Sequence, residues 1–116
     1  MSNQPEPSNV IRISEGMTVI LSLHSPREKI WGLLADLSPA GIQIRGIDLN
    51  TFDDWVRMVM HNEHNIALTY VFVPMWRVER MSLDETVGEI LSMEEQFHQR
   101  VGISLQEYLG SNEPVS

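Results

Sequence analysis

The chain has 116 residues, enough for one domain with a single modest core and too few for a second catalytic domain. Its 42% hydrophobic and 21% charged residues match ordinary globular usage, which excludes a wholly disordered or fibrous chain. No cysteine is present, which excludes disulfides, thiolate nucleophiles and cysteine-ligated metals, and suits a reducing compartment such as the cytoplasm.

The formal net charge of -8 is unevenly placed: residues 1–81 hold 9 acidic and 7 basic side chains, whereas residues 82–116 hold 7 acidic ones and only Arg100. A protein that docks on phosphate backbone usually carries a basic stripe, because counterion release supplies most of the affinity. None is visible, so no nucleic-acid partner is expected. No apolar run approaches the roughly 20 residues of a spanning helix, and residues 1–10 lack the basic start and apolar stretch of a signal peptide, so no membrane partner is expected either.

Residues 1–14 are read as a flexible arm, since Pro5, Pro7 and several small polar residues leave little to pack. Residues 17–24 alternate Val19, Leu21 and Leu23 against Thr18, Ser22 and His24, the pattern of a half-buried strand. Residues 26–37 fit two readings. Ser25-Pro26-Arg27-Glu28 resembles a helix start followed by Ile30, Leu33, Leu34 and Leu37 at helical spacing, yet Trp31, Leu33, Ala35 and Leu37 also line one face of a strand. Gly32 inside a helix costs about 1 kcal/mol. The turn residues Ser38-Pro39-Ala40-Gly41, followed by the alternating Ile42-Gln43-Ile44-Arg45, favour a hairpin.

Asn50 or Thr51 caps a predicted helix ending near His61, with Asp53 and Asp54 in its first turn and Phe52, Trp55, Val56 and Val59 on one face. Residues 66–73 are rich in β-branched and aromatic side chains; Pro74 stops the ladder, a short turn covers 74–77, and residues 78–81 resume an extended pattern. Beyond Met81 three S-x-x-E boxes begin at Ser82, Ser92 and Ser104, and Gly102 and Gly110 stand where helix C-caps would. Short helices are expected there, with Phe97, Val101, Leu105 and Leu109 as their docking side chains. The expected organisation is an arm over 1–14, a β domain with an inserted helix over 15–81 and an acidic helical tail over 82–116.

Five short strands, the fourth entering a proline-initiated turn before the fifth, resemble in order the small SH3-like and Sm-like barrels. The run Val71-Phe72-Val73-Pro74-Met75-Trp76-Arg77-Val78-Glu79-Arg80-Met81 is similar to the closing strands of Sm-like proteins, as Phe52-Asp53 is to a short stretch in them. The resemblance covers about half the chain. It implies a mainly β fold, a five-stranded barrel with a helix inserted before strand four, and, as one alternative, association with RNA. A second likeness rests on Asp36-Leu37-Ser38-Pro39-Ala40-Gly41, which matches the D-x-S-x-x-G motif of PilZ domains, receptors for cyclic di-GMP. That resemblance implies a ligand site at Arg12, Asp36, Ser38 and Gly41. Of the R-x-x-x-R that accompanies the motif in that family, this chain carries Arg12 alone, with Ser8 and Gly16 four residues to either side. By residue type the same segment is a hairpin turn.

His61-Asn62-Glu63-His64 matches neither H-E-x-x-H nor H-x-x-E-H and reads as a solvated loop, so no metal is expected. Asp53 and Asp54 are adjacent and point in different directions on a helix, which favours dipole capping over a shared catalytic role. There is no G-x-S-x-G elbow and no glycine-rich phosphate loop. The expectation is therefore a non-enzymatic interaction or regulatory module without a cofactor, whose partner is another protein or a second copy. Trp76, Arg77 and Arg80 are the candidate anchors, because tryptophan and arginine dominate protein interfaces.

Overall fold

In the computed structural model, which describes residues 10–112, the ambiguous segment is a strand. β2 (Glu28–Ser38) pairs antiparallel with β3 (Gly41–Asp48) around Pro39 and Ala40. The apparent helix start at Ser25-Pro26 is the turn from β1 (Thr18–Leu23) into β2. Gly32, unfavourable in a helix, has a use in the strand. It faces Gly46 across the ladder, and a Cβ on Gly32 would lie 2.2 Å from the Arg45 carbonyl oxygen, so the two glycines let β2 and β3 approach closely.

Helix α1 (Phe52–Met60) follows β3 through a short 3-10 turn, Leu49–Thr51, in which the Asn50 N–H donates to Asp48 Oδ1 at 2.8 Å. Then come β4 (Thr69–Pro74), a 3-10 turn over Met75–Arg77, β5 (Val78–Leu83), α2 (Met93–Val101) and α3 (Leu105–Asn112). The five strands form one antiparallel sheet in the order β4-β3-β2-β1-β5. β4 and β5 occupy its two edges, and among the described residues no ladder joins them, so the hydrogen-bonded sheet is not closed into a barrel. No helix among the described residues is long and apolar enough to cross a membrane.

Both faces of the sheet are covered, each by its own apolar cluster. Val19, Leu21 and Leu23 of β1, Ile30 and Leu34 of β2, Ile42 and Ile44 of β3 and Val73 of β4 form one, with Val78 and Met81 of β5 packed against it. The residues between them in sequence face the other way. There Trp31 and Ile47 join Phe52, Trp55, Val56 and Met58 of α1, Phe97 of α2 and Leu105 of α3, with Ile20 and Leu33 alongside. A register shift between Leu34 and Asp36 breaks this alternation. It places Leu37 opposite Ile42, so Leu37 does not continue the Trp31 and Leu33 face.

The segment read as an acidic tail is docked through that second cluster. Phe97 and Leu105 are fully buried, and the Phe97 ring stacks on Trp55 at 5.0 Å between centroids. Of the three capping boxes, the one at Ser104 forms in full and the one at Ser92 in half, the Ser92 N–H donating to Thr86 Oγ1 rather than to Glu95. Ser92 Oγ accepts from the Glu95 N–H, and Ser104 and Glu107 cap each other reciprocally. The third does not, because Ser82 lies inside β5, opposite Ile20, where its backbone is committed to the ladder. Gly102 ends α2 with φ of 97°, the left-handed conformation glycine adopts without strain. Gly110, expected as a second C-cap, lies within α3. The arm expected over residues 1–14 lies largely outside the described residues.

Candidate interaction surface

Arg77 is held by the fold itself. Its Nε donates to the His24 carbonyl at 3.1 Å, and its Nη2 donates to the Pro26 carbonyl at 2.7 Å and to Glu28 Oε2 at 2.9 Å. The His24 N–H in turn donates to the Arg77 carbonyl. A planar fork with several donors suits this role, which ties the β1–β2 turn to the 3-10 turn between β4 and β5. Trp76, one residue earlier, is 65% exposed and meets only the edge of the His24 ring among aromatic neighbours, at 6.3 Å. Arg80 lies opposite Ser22 on β1 and is exposed. The three candidate anchors therefore differ in role: Trp76 and Arg80 reach solvent, while Arg77 braces the platform that carries Trp76.

The largest exposed apolar stretch of the sheet was not singled out from sequence. On edge strand β4, the consecutive residues Tyr70, Val71 and Phe72 are 59%, 37% and 56% exposed. β4 contains no charged residue and, among the described residues, pairs only with β3. Tyr70 and Phe72 point to the helix-covered face, opposite Arg45 and Gln43, yet neither belongs to its apolar cluster. The Arg45 guanidinium carbon lies 5.5 Å from the centre of the Tyr70 ring, which orients that ring by cation–π attraction. Gly41 makes room for Phe72, since a Cβ there would lie 2.6 Å from Phe72 Cζ. The available signal was that residues 70–73 are large and apolar at both parities, while only one parity had an identified core to enter.

The D-x-S-x-x-G segment forms the tip of the β2–β3 hairpin. Ser38 Oγ accepts from the Ala40 N–H at 3.2 Å and lies 3.4 Å from the Gly41 carbonyl, while the Ala40 carbonyl accepts from the Met75 N–H. Asp36 and Arg12 are both exposed. Each of these contacts serves the turn, and the steric need at Gly41 comes from β4.

Asp53 and Asp54 are used separately: Asp53 accepts from Arg100 of α2 at 2.9 Å, and Asp54 pairs with Arg57 one turn along α1. His61 Nδ1 lies 2.7 Å from the Arg57 carbonyl at the helix end, where it donates as the protonated nitrogen. Among the described residues no group of three histidine, aspartate or glutamate side chains converges as metal ligands would. Comparisons with protein-family models, with curated proteins and with solved structures find no match.

Proposed function

We propose that this chain is a non-enzymatic protein-interaction module, built on a small SH3-like or Sm-like β domain, that recruits its partner along edge strand β4 and Trp76. The observation that carries the reading is the run Tyr70, Val71 and Phe72, three consecutive exposed apolar side chains on an uncharged sheet edge. Natural sheets usually protect such an edge with charge, proline or a covering element, because its unpaired N–H and C=O groups template another strand. Here Pro74 only ends the strand, leaving the backbone of residues 69–73 open for strand addition. Trp76 contributes an aromatic surface close by in sequence, of the kind that concentrates binding energy. The barrel-like reading is supported by the shared aliphatic cluster, which takes Val73 from β4 and Val78 and Met81 from β5 although the two strands are not hydrogen-bonded.

The opposite edge gives the contrast. β5 carries Glu79 and Arg80, charges that discourage indiscriminate pairing. Phe72→Lys and Trp76→Ala are expected to leave the thermal midpoint nearly unchanged and to weaken self-association or partner capture by about 2 kcal/mol, the usual hot-spot scale. Sedimentation velocity over a concentration series measures the first, and quantitative capture of the copurifying partner the second. If both variants bind and sediment as wild type does, β4 is not the interface.

A further inference from the structure

The basic residues of this acidic chain are not spread evenly. Arg57 pairs with Asp54, Arg100 with Asp53 and Arg77 with Glu28, while Arg45 lies over Tyr70. Arg12 lies exposed before β1, whereas Arg27, Lys29 and Arg80, which make no ion pair among the described residues, all line one cavity of about 340 Å³ where β1, β2 and β5 meet. That volume is in the range of small-ligand sites.

The sheet register explains how they converge. Ser22 stands opposite Lys29 on β2 and opposite Arg80 on β5, so the three form a row across neighbouring strands with side chains on one face. Residues directly opposite in antiparallel strands have Cβ atoms about 4.5–5.5 Å apart. Long cationic side chains to either side of a serine can therefore reach a single group seated above it. The row lies one step beyond Ile20 and Trp31, at the end of the helix-covered cluster. Ser22 is only 7% exposed, and its hydroxyl makes no hydrogen bond among the described residues, which leaves it able to donate into the cavity. The register shift between Ser22 and Leu23 places Glu79 next to Arg80 as a further lining residue.

We infer that this cavity is a binding site for a small phosphate-bearing molecule, held by Lys29, Arg80 and Arg27 with Ser22 as a neutral donor. Three cations and Glu79 leave two positive charges, Glu28 being neutralised by Arg77, and a phosphate monoester supplies two negative ones. The arginine forks suit the oxygen geometry of phosphate, and the ammonium adds a point charge. A concave site lined by one excess sign of charge concentrates the counter-ion locally. The overall charge of -8 repels an extended polyanion, so the ligand is small. Glu79 then accepts from a hydroxyl or amino group beside the phosphate.

The test uses the full chain, with inorganic pyrophosphate and, separately, inorganic phosphate as probes at low ionic strength. Amide chemical shifts and calorimetry are recorded together. Saturable binding is expected, with shifts centred on residues 22–29 and 79–80. Lys29→Gln and Arg80→Gln should each weaken it about tenfold, the scale of one charge-assisted hydrogen bond. Arg57→Gln removes the same charge from a residue paired on α1 and should leave the affinity unchanged. If Lys29→Gln does not fold by circular dichroism, the exposed Arg80→Gln decides. Absence of saturable shifts up to about 10 mM of either probe overturns the inference. So does an equal loss in Arg57→Gln, which would show that overall charge alone governs binding.

Discussion

The two faces of the sheet are built from different materials. Among the described residues, the fully buried side chains of one are all aliphatic and come from the strands themselves, Leu21, Leu34, Ile42 and Ile44 among them, with Ile13 and Met75 packed alongside. The other is aromatic and is assembled from distant parts of the chain: Trp31 from β2, Phe52 and Trp55 from α1, Phe97 from α2 and Tyr108 from α3. Neighbouring strands bring the first cluster together as the ladder forms. The second closes only when residues 93–109 return to the sheet, so the C-terminal helices complete the fold while being absent from half of its core.

Removing one large side chain from each face separates their contributions most directly. Phe97→Ala is expected to cost about 3–5 kcal/mol and Leu21→Ala about 2–5 kcal/mol, both side chains being fully buried. Their local consequences should differ more than their totals. In Phe97→Ala, amide protection should be lost in α2 and α3 ahead of β1–β3, whereas in Leu21→Ala the strands and helices should lose it together. Hydrogen exchange beside urea titration measures both, and simultaneous loss in both variants would mean that the two faces fold as one inseparable unit.

This division also governs what was legible in the sequence. The strands of the aliphatic face followed from alternation: Val19, Leu21 and Leu23 announce β1, and the turn at Pro39 and Ala40 settled the hairpin against an equally well-spaced helix. The helix of residues 52–60 and the burial of Phe52 and Trp55 were legible from the spacing of the apolar residues, but the expected cap does not form: Thr51 stands at the N-cap without capping the helix, its Oγ1 donating instead to the Asp48 carbonyl at 2.7 Å. Phe97 was legible as a docking side chain, but its partner Trp55 was not, because a nine-residue helix with a single buried residue and many acidic neighbours carries no pattern that says which surface it meets. At the candidate surface, Trp76 was legible as an aromatic in a turn. The engagement of Arg77 with two carbonyls of the β1–β2 turn was not, since Pro26 and Arg77 stand 51 positions apart with no pattern that pairs them. The row Lys29, Ser22 and Arg80 likewise depends on a three-strand register that only the assembled sheet defines.

A smaller effect is expected where the aromatic face is tied to the helix that covers it. Asp84 follows β5, and its carboxylate serves three donors: Oδ1 accepts from the Met93 N–H at 2.8 Å, and Oδ2 accepts from the Glu94 N–H and from Trp31 Nε1, each at 3.0 Å. It thereby supplements the Ser92 cap at the positive end of α2 and satisfies the indole of a fully buried tryptophan. Asp84→Asn keeps the size but removes the charge and turns an amide toward N–H donors. The expected loss is about 1.5–3 kcal/mol, the scale of hydrogen bonds to a charged group. Chemical denaturation measures it, and an unchanged midpoint would show that Ser92 alone holds the helix start.

The smallest expected effect reports how firmly α3 closes the same face. Tyr108 lies edge-on to Trp55 and Phe97, with ring centroids 6.0 and 5.6 Å away, and burial raises its phenol pKa above the ordinary 10.0 by disfavouring the phenolate. The folded chain thus holds this proton more tightly than the unfolded chain does. The associated stability is complete below the unfolded pKa of about 10 and is lost as pH rises through the higher folded value. The chain has two tyrosines, so a Tyr70→Phe background leaves Tyr108 as the only phenol to follow by its phenolate absorbance. Its midpoint should lie above 10.0 in the folded protein and return to the ordinary value in urea. Adding Phe97→Ala should shift the folded midpoint toward the unfolded one, because the ring that shields the phenol is gone and α3 loosens. If the folded and unfolded midpoints coincide even with Phe97 present, α3 does not shield Tyr108 in solution, and the aromatic face ends at α2.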